Sequence, residues 1–495
     1  MKRRGIALVA ILLSLLCVRH STVAQQSRPN ILFIAVDDLR PEFGAYGAAS
    51  IQSPNLDRLA KRGVTFNRAY VQQAVCSPSR SSVMTGTRPD TTKVWDLETH
   101  FRTALPDVVT LGQHFKQHGY FVQGMGKIYH PGFDDAATWS VPWQAPRSRL
   151  YARSENIALA QRNTASLPAD QAGATGTKPA QAPRGPAFES ADVPDDAYQD
   201  GRVAELAVTT LRDISRKSEP FFLAVGFAKP HLPFASPKKY WDLYDPDKIQ
   251  LAPNNFRPRG APDYAIMPGG ELRNYHGIPT GSIPDDLARQ LKHGYYAATS
   301  YMDAQVGKVL DELDRLGLRD NTIVVLWGDH GWKLGEHDAW CKHSTAENDT
   351  NAPLLLSVPG MKHAGVRTEA LVEFVDIYPT LSELAGLPLP AHLEGKSFKP
   401  VLENPRRAWK SAAFSQYPRR PGGRALMGYS MRTDRHRFTA WVDRDDHSKI
   451  DAIELYDHQT DPQENENIAG EPRHAALVAQ LTDQWRKGWR AALPR

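Results

Sequence analysis

Length, composition and charge are those of an ordinary globular protein and exclude several other classes. The 495 residues can bury a large core, and 41% of them are hydrophobic and 23% charged, as is typical of a folded soluble chain. The formal net charge of +5 comes from scattered basic residues, so nothing supports nucleic-acid binding, whereas an anionic small molecule or polysaccharide is compatible with it.

The first 24 residues have the pattern of a secretory signal peptide. Lys2-Arg3-Arg4 form a positive start, residues 6–18 an apolar stretch and residues 21–24 a small-residue end. The apolar stretch is shorter than the roughly 20 residues of a membrane-spanning helix, and the large residue before Cys17 disfavours a lipoprotein anchor. We therefore expect cleavage after Ala24 and an exported protein, secreted or periplasmic, without stable membrane association.

Only three cysteines occur, and Cys17 would leave with the signal peptide. Cys76 and Cys341 remain, so a disulfide framework is absent despite the predicted export. The sequence does not decide whether these two residues form a single disulfide. The scarcity of disulfides favours a bacterial periplasm or exterior over a lysosome.

Apolar strands alternate with helices over residues 30–385. Strands are predicted at residues 30–36, 120–124, 220–227, 322–327 and 353–358, where apolar and β-branched runs suit a sheet buried on both faces. Helices are predicted at residues 54–62, 108–118, 197–216, 285–316 and 376–385. This alternation predicts an α/β fold with a mainly parallel sheet.

Two stretches without a regular pattern interrupt this alternation, and the pattern of predicted elements changes after residue 400. Residues 146–194, rich in Ala, Pro, Gly, Gln and Ser, are expected to form a long surface excursion, and residues 254–284 are loop-rich. After residue 400, short alternating strands at 412–416, 428–433, 436–442 and 454–457 precede a helix at 471–492. We predict a signal peptide over 1–24, a large domain over 25–400 and a small antiparallel subdomain over 401–495.

Acidic and basic residues follow the predicted strands at four places. Asp37-Asp38, Lys127 with His130, His231, and Asp329-His330 each come just after a strand. The carboxyl ends of strands in an open α/β sheet meet where ligands bind, so we expect one shared site. A single such Asp would more often be a turn residue or a helix cap.

The residue types in this set point to a metal and an oxyanion. Asp37, Asp38 and Asp329 suit a hard divalent cation such as calcium, and zinc fits less well. Arg80, Lys127 and Lys342 add cationic donors for an anion with several oxygens. A metal with cations around a nucleophile indicates sulfuryl or phosphoryl transfer.

The nucleophile candidate is Cys76, in the stretch Ala74-Val75-Cys76-Ser77-Pro78-Ser79-Arg80. Pro78 fixes its own φ and biases Ser77 away from helix, so we expect a turn that holds Cys76 and Arg80 together before a helix at residues 81–85. A buried structural cysteine is the ordinary alternative for a lone Cys.

These segments resemble the type I sulfatase family. Cys76-Ser77-Pro78-Ser79-Arg80, extended through Arg88, resembles the family signature in which the cysteine is oxidised to formylglycine, and the segments at 36–38, 126–130 and 328–331 resemble its other motifs. Within this family the chain resembles the iduronate-2-sulfatase branch, at residues 71–76, 88–92, 229–231, 335–337, 415–418 and 427–430. The resemblance runs from about residue 29 to 467.

The resemblance implies an alkaline-phosphatase-like sandwich, with the catalytic sulfatase domain over residues 25–400. It implies one Ca²⁺ per chain, held by Asp37, Asp38, Asp329, His330 and residue 76. Residue 76, as a hydrated formylglycine, would attack sulfur.

The resemblance also assigns roles around this nucleophile. Arg80 and Lys127 would steady the diol and the sulfuryl oxygens. His231, with Lys342, would protonate the leaving alcohol, and His130 would take the proton from the remaining hydroxyl so that sulfate is expelled.

The expected function is removal of a 2-O-sulfate from a uronic acid in a sulfated glycan, after maturation by a formylglycine-generating enzyme. A phosphonate monoester or phosphodiester hydrolase, and a non-catalytic glycan-binding protein, are the alternatives.

Several residues beside the motifs keep two interpretations. Lys342 could be a solvated loop cation, and His337 a site residue or a partner of one. Cys341 is expected to be a small packed residue. Arg419, Arg420 and Arg424 could bind carboxylate or sulfate groups of a glycan, or lie in a solvated loop.

Overall fold

The computed structural model describes residues 28–147, 149–165, 184–267 and 270–494. The predicted signal peptide and its Cys17 lie outside this range. The strands of the described residues are β1 (Asn30–Val36), β2 (Val64–Phe66), β3 (Ala69–Tyr70), β4 (Phe121–Gly126), β5 (Phe188–Ala191), β6 (Phe221–Phe227), β7 (Phe234–Pro237), β8 (Thr322–Gly328), β9 (Leu354–Ser357), β10 (Val366–Thr368), β11 (Val372–Glu373), β12 (Ala413–Arg419), β13 (Leu426–Arg432), β14 (His436–Asp443) and β15 (Ile450–Asp457).

Helices of very different length connect these strands. The α-helices are α1 (Pro54–Arg62), α2 (Cys76–Thr85), α3 (Pro89–Thr92), α4 (Leu111–Gln117), α5 (Ser154–Ala165), α6 (Gln199–Ile214), α7 (Lys238–Trp241), α8 (Asp285–Arg315), α9 (Glu347–Thr350), α10 (Ile377–Leu384), α11 (Lys399–Glu403), α12 (Ala475–Arg486) and α13 (Gly488–Ala491). Among the described helices, none combines the length and the apolar character needed to cross a bilayer.

A seven-stranded sheet, in the order β10-β2-β9-β8-β1-β6-β4, forms the centre of the fold. β8, β1, β6 and β4 are parallel neighbours, which confirms the prediction of a mainly parallel sheet. β9 runs antiparallel to β8 and β2. The chain reaches β9 from β8 through loops and the four-residue helix α9, and an antiparallel neighbour needs no crossover helix.

Helices cover both faces of this sheet, because successive residues of a strand face opposite sides. Leu32 and Ile34 of β1 pack in one hydrophobic core with residues of α6 and α8. Ile31 and Phe33 pack in the other core with residues of α2, α4 and α10. This three-layer packing explains why β1 is apolar along its whole length.

A four-stranded antiparallel sheet, in the order β12-β13-β14-β15, lies in the C-terminal part of the chain. Leu481 and Trp485 of α12 pack on it. The predicted terminal helix is divided, because Gly488 has φ +70°, in the left-handed region that favours glycine. The small sheet and its helix are confirmed, and the domain boundary at residue 400 stays a prediction.

Residues 146–194 contain more regular structure than we predicted. They include α5 and also β5, which pairs in parallel with β7. Glu189 of β5 accepts hydrogen bonds from the backbone N–H of Ala152 (2.6 Å) and from the Tyr198 hydroxyl (2.7 Å). Composition did not reveal this order, because its partners are distant in sequence. Ser148 and residues 166–183 lie outside the described residues.

A buried ion-pair network joins the small sheet to the loops of the large one. Arg437 of β14 contacts both Glu464 and Glu347 and is 1% exposed. Burial alone would raise the pKa of Glu347, but the charges of Arg437 and Arg432 lower it to about 2. The network therefore holds ionised carboxylates inside the protein.

We expect Arg437→Met to lower the free energy of unfolding by about 3 kcal/mol, because the buried carboxylate of Glu464 and the partly buried one of Glu347 lose a shared cation. This loss of stability is at the lower end of the range for a broken buried ion pair, since Arg432 and His458 remain beside the carboxylates. Urea unfolding followed by circular dichroism measures this. Arg424→Ala breaks an exposed pair with Asp451 and should leave the midpoint unchanged. Equal effects of the two variants would contradict the role of Arg437.

Candidate active site

The carboxyl ends of β8, β1, β6 and β4 meet at one edge of the sheet, beside a cavity of about 1190 Å³. Parallel neighbours necessarily end at the same edge, so residues from distant parts of the chain come together there. The predicted site residues that line the cavity are Asp37, Cys76, Lys127, His130, His231 and Lys342.

Asp37 and Asp38 leave β1 in a bend that brings both carboxylates near Cys76. Asp38 has φ +57°, a conformation that costs a non-glycine residue about 1–3 kcal/mol. Two hydrogen bonds hold the bend: the Asp38 N–H donates to Asp329 Oδ1 at 3.0 Å, and the Tyr295 hydroxyl donates to the Asp38 carbonyl at 2.7 Å. The strained bend thus belongs to the site itself.

Cys76 is the first residue of α2, so the predicted turn over residues 76–80 was wrong. Pro78 is tolerated there because the first N–H groups of a helix have no intrahelical acceptor. Cys76 Sγ lies 3.4 Å from His330 Nε2, 3.5 Å from Asp37 Oδ1 and 3.7 Å from Lys127 Nζ. Burial, and then the charge of Asp37, raises the pKa of the thiol well above its usual value. An unmodified Cys76 would therefore be a poor thiolate nucleophile.

Cys341 is the other free cysteine of the described residues, and it is also buried. Its Sγ lies 3.7 Å from the carbonyl oxygen of Met267. The possibility of a Cys76–Cys341 bridge is therefore closed, and Cys341 is a small packed residue.

Arg80 lies one turn after Cys76 and is fully buried. Its Nε donates to Asp329 Oδ2 at 2.9 Å, and a terminal nitrogen contacts Asp37 Oδ1 at 3.2 Å. The other terminal nitrogen donates to the backbone carbonyls of Lys127 and Ile128. The guanidinium therefore fixes the two carboxylates and does not itself line the cavity.

Lys127 directly follows β4, at a point where the backbones of β4 and β6 approach each other closely. Gly126 has φ +66°, and a Cβ there would lie 2.0 Å from the carbonyl oxygen of Gly226. Only glycine fits, and the chain turns so that Lys127 Nζ contacts Asp37. Lys127 Nζ is thereby held between Asp37 and Cys76.

The side chains around Cys76 suit a divalent cation. Asp37, Cys76, Asp329 and His330 each offer a ligand atom, and these atoms lie within 4.8 Å of one another in buried positions. Burial alone would raise the pKa of Asp37, but Lys127, together with His231 and Arg80, holds it well below its usual value. Ionised carboxylate oxygens are the donors that calcium prefers, so the residues fit the predicted metal.

His130 lines the cavity as an uncharged imidazole. Burial, and then the charge of Lys127, lowers the pKa of His130 to about 3. Its Nδ1 is buried without a hydrogen-bond partner among the described residues. A neutral histidine with a free nitrogen can accept a proton.

His231 and Lys342 form the other side of the cavity. Lys342 is 3% exposed, so it is not a solvated loop cation. Its Nζ lies 3.1 Å from both carboxylate oxygens of Asp38 and 2.6 Å from Glu271 Oε2. His231 Nε2 lies 3.0 Å from Glu271 Oε1. Glu271 therefore joins the two predicted donors.

Sequence reasoning missed Glu271 and Asp200. Glu271 lies in the loop-rich stretch at 254–284, where no motif or period marked it. Asp200, near the start of α6, accepts the backbone N–H groups of Ala228 and Lys229 at 2.8 Å each. It thereby fixes the loop that carries His231, but an acidic residue in the first turn of a helix has no distinctive sequence signal.

Four other candidate residues do not line the site cavity. His337 Nε2 contacts the Gln463 carbonyl, and the residue lines a different, small cavity. Arg419 donates to the carbonyls of Tyr264 and Ala265, and Arg424 pairs with Asp451. Arg420 is exposed. The suggestion that Arg419 and Arg424 bind a glycan is not supported, because both guanidinium groups have protein partners.

Comparison with known proteins gives a consistent result over nearly the whole chain. The family model "Sulfatase" matches residues 29–387, and "N-sulphoglucosamine sulphohydrolase, C-terminal" matches residues 335–490. Iduronate 2-sulfatase of Mus musculus is 35% identical, covering 95% of this chain and 97% of the relative. The enzyme of Homo sapiens is 34% identical, covering 97% and 98%.

Solved structures with the same fold include two kinds of enzyme. A protein in complex with its substrate D-glucosamine-2-N,6-O-disulfate has a TM-score of 0.73 at 23% identity, covering 94% of this chain and 99% of that one. Phosphonate monoester hydrolase from Silicibacter pomeroyi has a TM-score of 0.72 at 23% identity, covering 94% and 96%. These structures show the fold, which is alkaline-phosphatase-like. The family model and the iduronate 2-sulfatase relatives show that the chain belongs to the sulfatase family and is a sulfuric ester hydrolase.

Proposed function

We propose that the protein is an exported sulfatase that removes the 2-O-sulfate of an iduronate-type uronic acid in a sulfated oligosaccharide or polysaccharide. The observation that carries this proposal is the position of Cys76 beside Asp37, Asp329 and His330, in the same cavity as His130, His231 and Lys342. The full-length similarity to iduronate 2-sulfatases supports the substrate class.

We propose that Cys76 is converted to formylglycine by a formylglycine-generating enzyme. When hydrated, this aldehyde supplies one hydroxyl that attacks sulfur and a second whose deprotonation releases sulfate. Cys76 Sγ marks the position of these oxygens. Lys127 and Asp37, at 3.7 and 3.5 Å from Sγ, are placed to hydrogen-bond them. Arg80 contributes indirectly, because it fixes the carboxylates of Asp37 and Asp329.

Calcium would be held by Asp37, Asp38, Asp329, His330 and residue 76. When bound, it supplies positive charge that favours an ionised hydroxyl and a bound sulfate oxygen. The protein orients these ligands through Arg80 and the Asp38 bend. His330 Nδ1 lies 3.0 Å from the Gly331 carbonyl, which places the proton on Nδ1 and leaves Nε2 free toward Cys76.

His231 is the proposed proton donor to the leaving alcohol. Burial alone would lower its pKa, but the charges of Glu271 and Asp38 raise it above the usual value, which favours the protonated ring. Its Nδ1 contacts the Leu232 carbonyl at 2.6 Å, which leaves Nε2 for the cavity. His130, held neutral, would accept the proton of the second hydroxyl at residue 76.

A phosphonate monoester or phosphodiester hydrolase is the second candidate, favoured by the structural neighbour from Silicibacter pomeroyi. We expect higher kcat/KM on 2-O-sulfated uronic acid oligosaccharides than on phosphonate monoesters and phosphodiesters, measured side by side on one preparation. Faster turnover of the phosphorus esters would reject the sulfatase proposal in favour of this one.

Residue 76 should be an aldehyde in active protein. Protein made together with a formylglycine-generating enzyme, digested with trypsin and analysed by mass spectrometry, should show the aldehyde in place of the thiol. Cys76→Ala should keep its unfolding midpoint and lose turnover. Full activity of protein that carries only intact cysteine would contradict the mechanism.

His231→Ala should lower kcat on sugar sulfates by about 100-fold or more, because the alkoxide would leave unprotonated. An activated aryl sulfate, whose leaving group needs no proton, should lose far less. Measuring sulfate release from both substrates checks this. The exposed His447→Ala serves as control and should alter neither rate. Equal losses on both substrates would show that His231 is not the acid.

A further inference from the structure

Glu271 has a position in the cavity that the proposed mechanism does not use. Its two carboxylate oxygens contact different residues: Oε1 lies 3.0 Å from His231 Nε2, and Oε2 lies 2.6 Å from Lys342 Nζ. Its side chain is 21% exposed, and the residue lines the cavity. The carboxylate therefore bridges the two groups that face the leaving alcohol.

Charge balance alone does not explain this bridge. Lys342 already has a carboxylate partner, since Asp38 places both oxygens 3.1 Å from its Nζ. What Glu271 adds to Lys342 is therefore a connection to His231. The closest approach of His231 to Asp38 is 3.9 Å, so Glu271 is also the nearer carboxylate of His231.

The bridge fixes the orientation of the imidazole. His231 Nδ1 contacts the carbonyl of the next residue, Leu232, at 2.6 Å. This local contact holds one edge of the ring, and Glu271 holds the opposite edge. With both edges held, His231 Nε2 and Lys342 Nζ lie against the two oxygens of one carboxylate.

We propose that Glu271 is a positioning residue for the leaving-group side of the site. It holds the Nε2–H of His231 and the ammonium of Lys342 side by side at the cavity wall, where the oxygen of the leaving alcohol takes over the Nε2–H from Glu271. As the S–O bond breaks and its electron pair moves to that oxygen, the Nε2 proton transfers to it and His231 becomes neutral. This inference rests on the proposed function, because it takes His231 as the proton donor.

Glu271→Gln tests the inference at nearly constant size. The amide offers one acceptor oxygen, so it cannot hold both donors. We expect kcat on a 2-O-sulfated uronic acid substrate to fall by about 10- to 100-fold, as is usual when a group that orients a functional histidine is lost. An activated aryl sulfate, which needs no proton donor, should lose less than about 3-fold.

Asp134→Asn is the matched control. Asp134 also lines the cavity, but its carboxylate accepts from the Trp139 indole N–H at 3.0 Å, away from His231 and Lys342. Asp134→Asn should leave the ratio of kcat on the sugar sulfate to kcat on the aryl sulfate unchanged. Equal losses on both substrates in Glu271→Gln would indicate a merely structural role and overturn the proposal. So would an unchanged kcat with a lower KM, because Glu271 would then only compete with the substrate.

A readout without turnover separates this inference from the proposed function. In proton NMR, the Nε2–H of His231 held by Glu271 should give a downfield signal that Glu271→Gln loses and Asp134→Asn keeps. A signal that persists in Glu271→Gln overturns the inference. Failure of the proposed function appears instead in the unsubstituted enzyme, as no sulfate release from either substrate.

Discussion

The burial of Arg80 between Asp37 and Asp329 is the interaction on which the rest of the site depends. A fully buried guanidinium would be very costly without partners, and here two carboxylates and two backbone carbonyls surround it. In return, carboxylates from the ends of β1 and β8 are held next to each other, although like charges repel. Removing either kind of charge would leave the other buried and uncompensated.

The same logic extends across the cavity. Lys127 neutralises Asp37, and Lys342 neutralises Asp38, so each acidic residue after β1 has its own cation. Burial alone would raise the pKa of both carboxyl groups. The cations around Asp37 overcome it and hold the pKa of Asp37 well below its usual value, whereas the pKa of Asp38 stays raised in spite of Lys342. The ionised oxygens of Asp37 are the kind of ligand that a calcium ion requires. Burial favours the neutral form of both histidines. The cation Lys127 adds to burial at His130 and lowers its pKa to about 3, whereas the carboxylate of Glu271 outweighs burial at His231 and raises its pKa.

Much of the fold could be predicted because its signals are local. The apolar run of β1 needs two covered faces whatever it packs against. The break of the last helix at Gly488, which has a positive φ, was missed, because we predicted one continuous helix over residues 471–492. The prediction failed where stability comes from distant partners. α5 and β5 lie in a stretch whose Ala-, Pro-, Gly-, Gln- and Ser-rich composition indicated a loop, and they are ordered by Glu189 and by pairing with β7. The helical start at Cys76 was also missed, because Pro78 was taken as a turn residue although it is compatible with a first helical turn.

The sequence by itself determined the identity of the motif residues, the order of strands and helices and, through that order, that Asp37, Lys127, His231 and Asp329 would meet at one edge of the sheet. Parallel strands leave no other arrangement, since their carboxyl ends coincide. Only the tertiary structure decided what each side chain does at that edge. It turned Arg80 away from the cavity to clamp two carboxylates, buried Lys342 against Asp38, and brought Glu271 from an unmarked loop to bridge Lys342 and His231. Such contacts depend on distances of a few ångströms between segments far apart in the chain, and no local pattern records them.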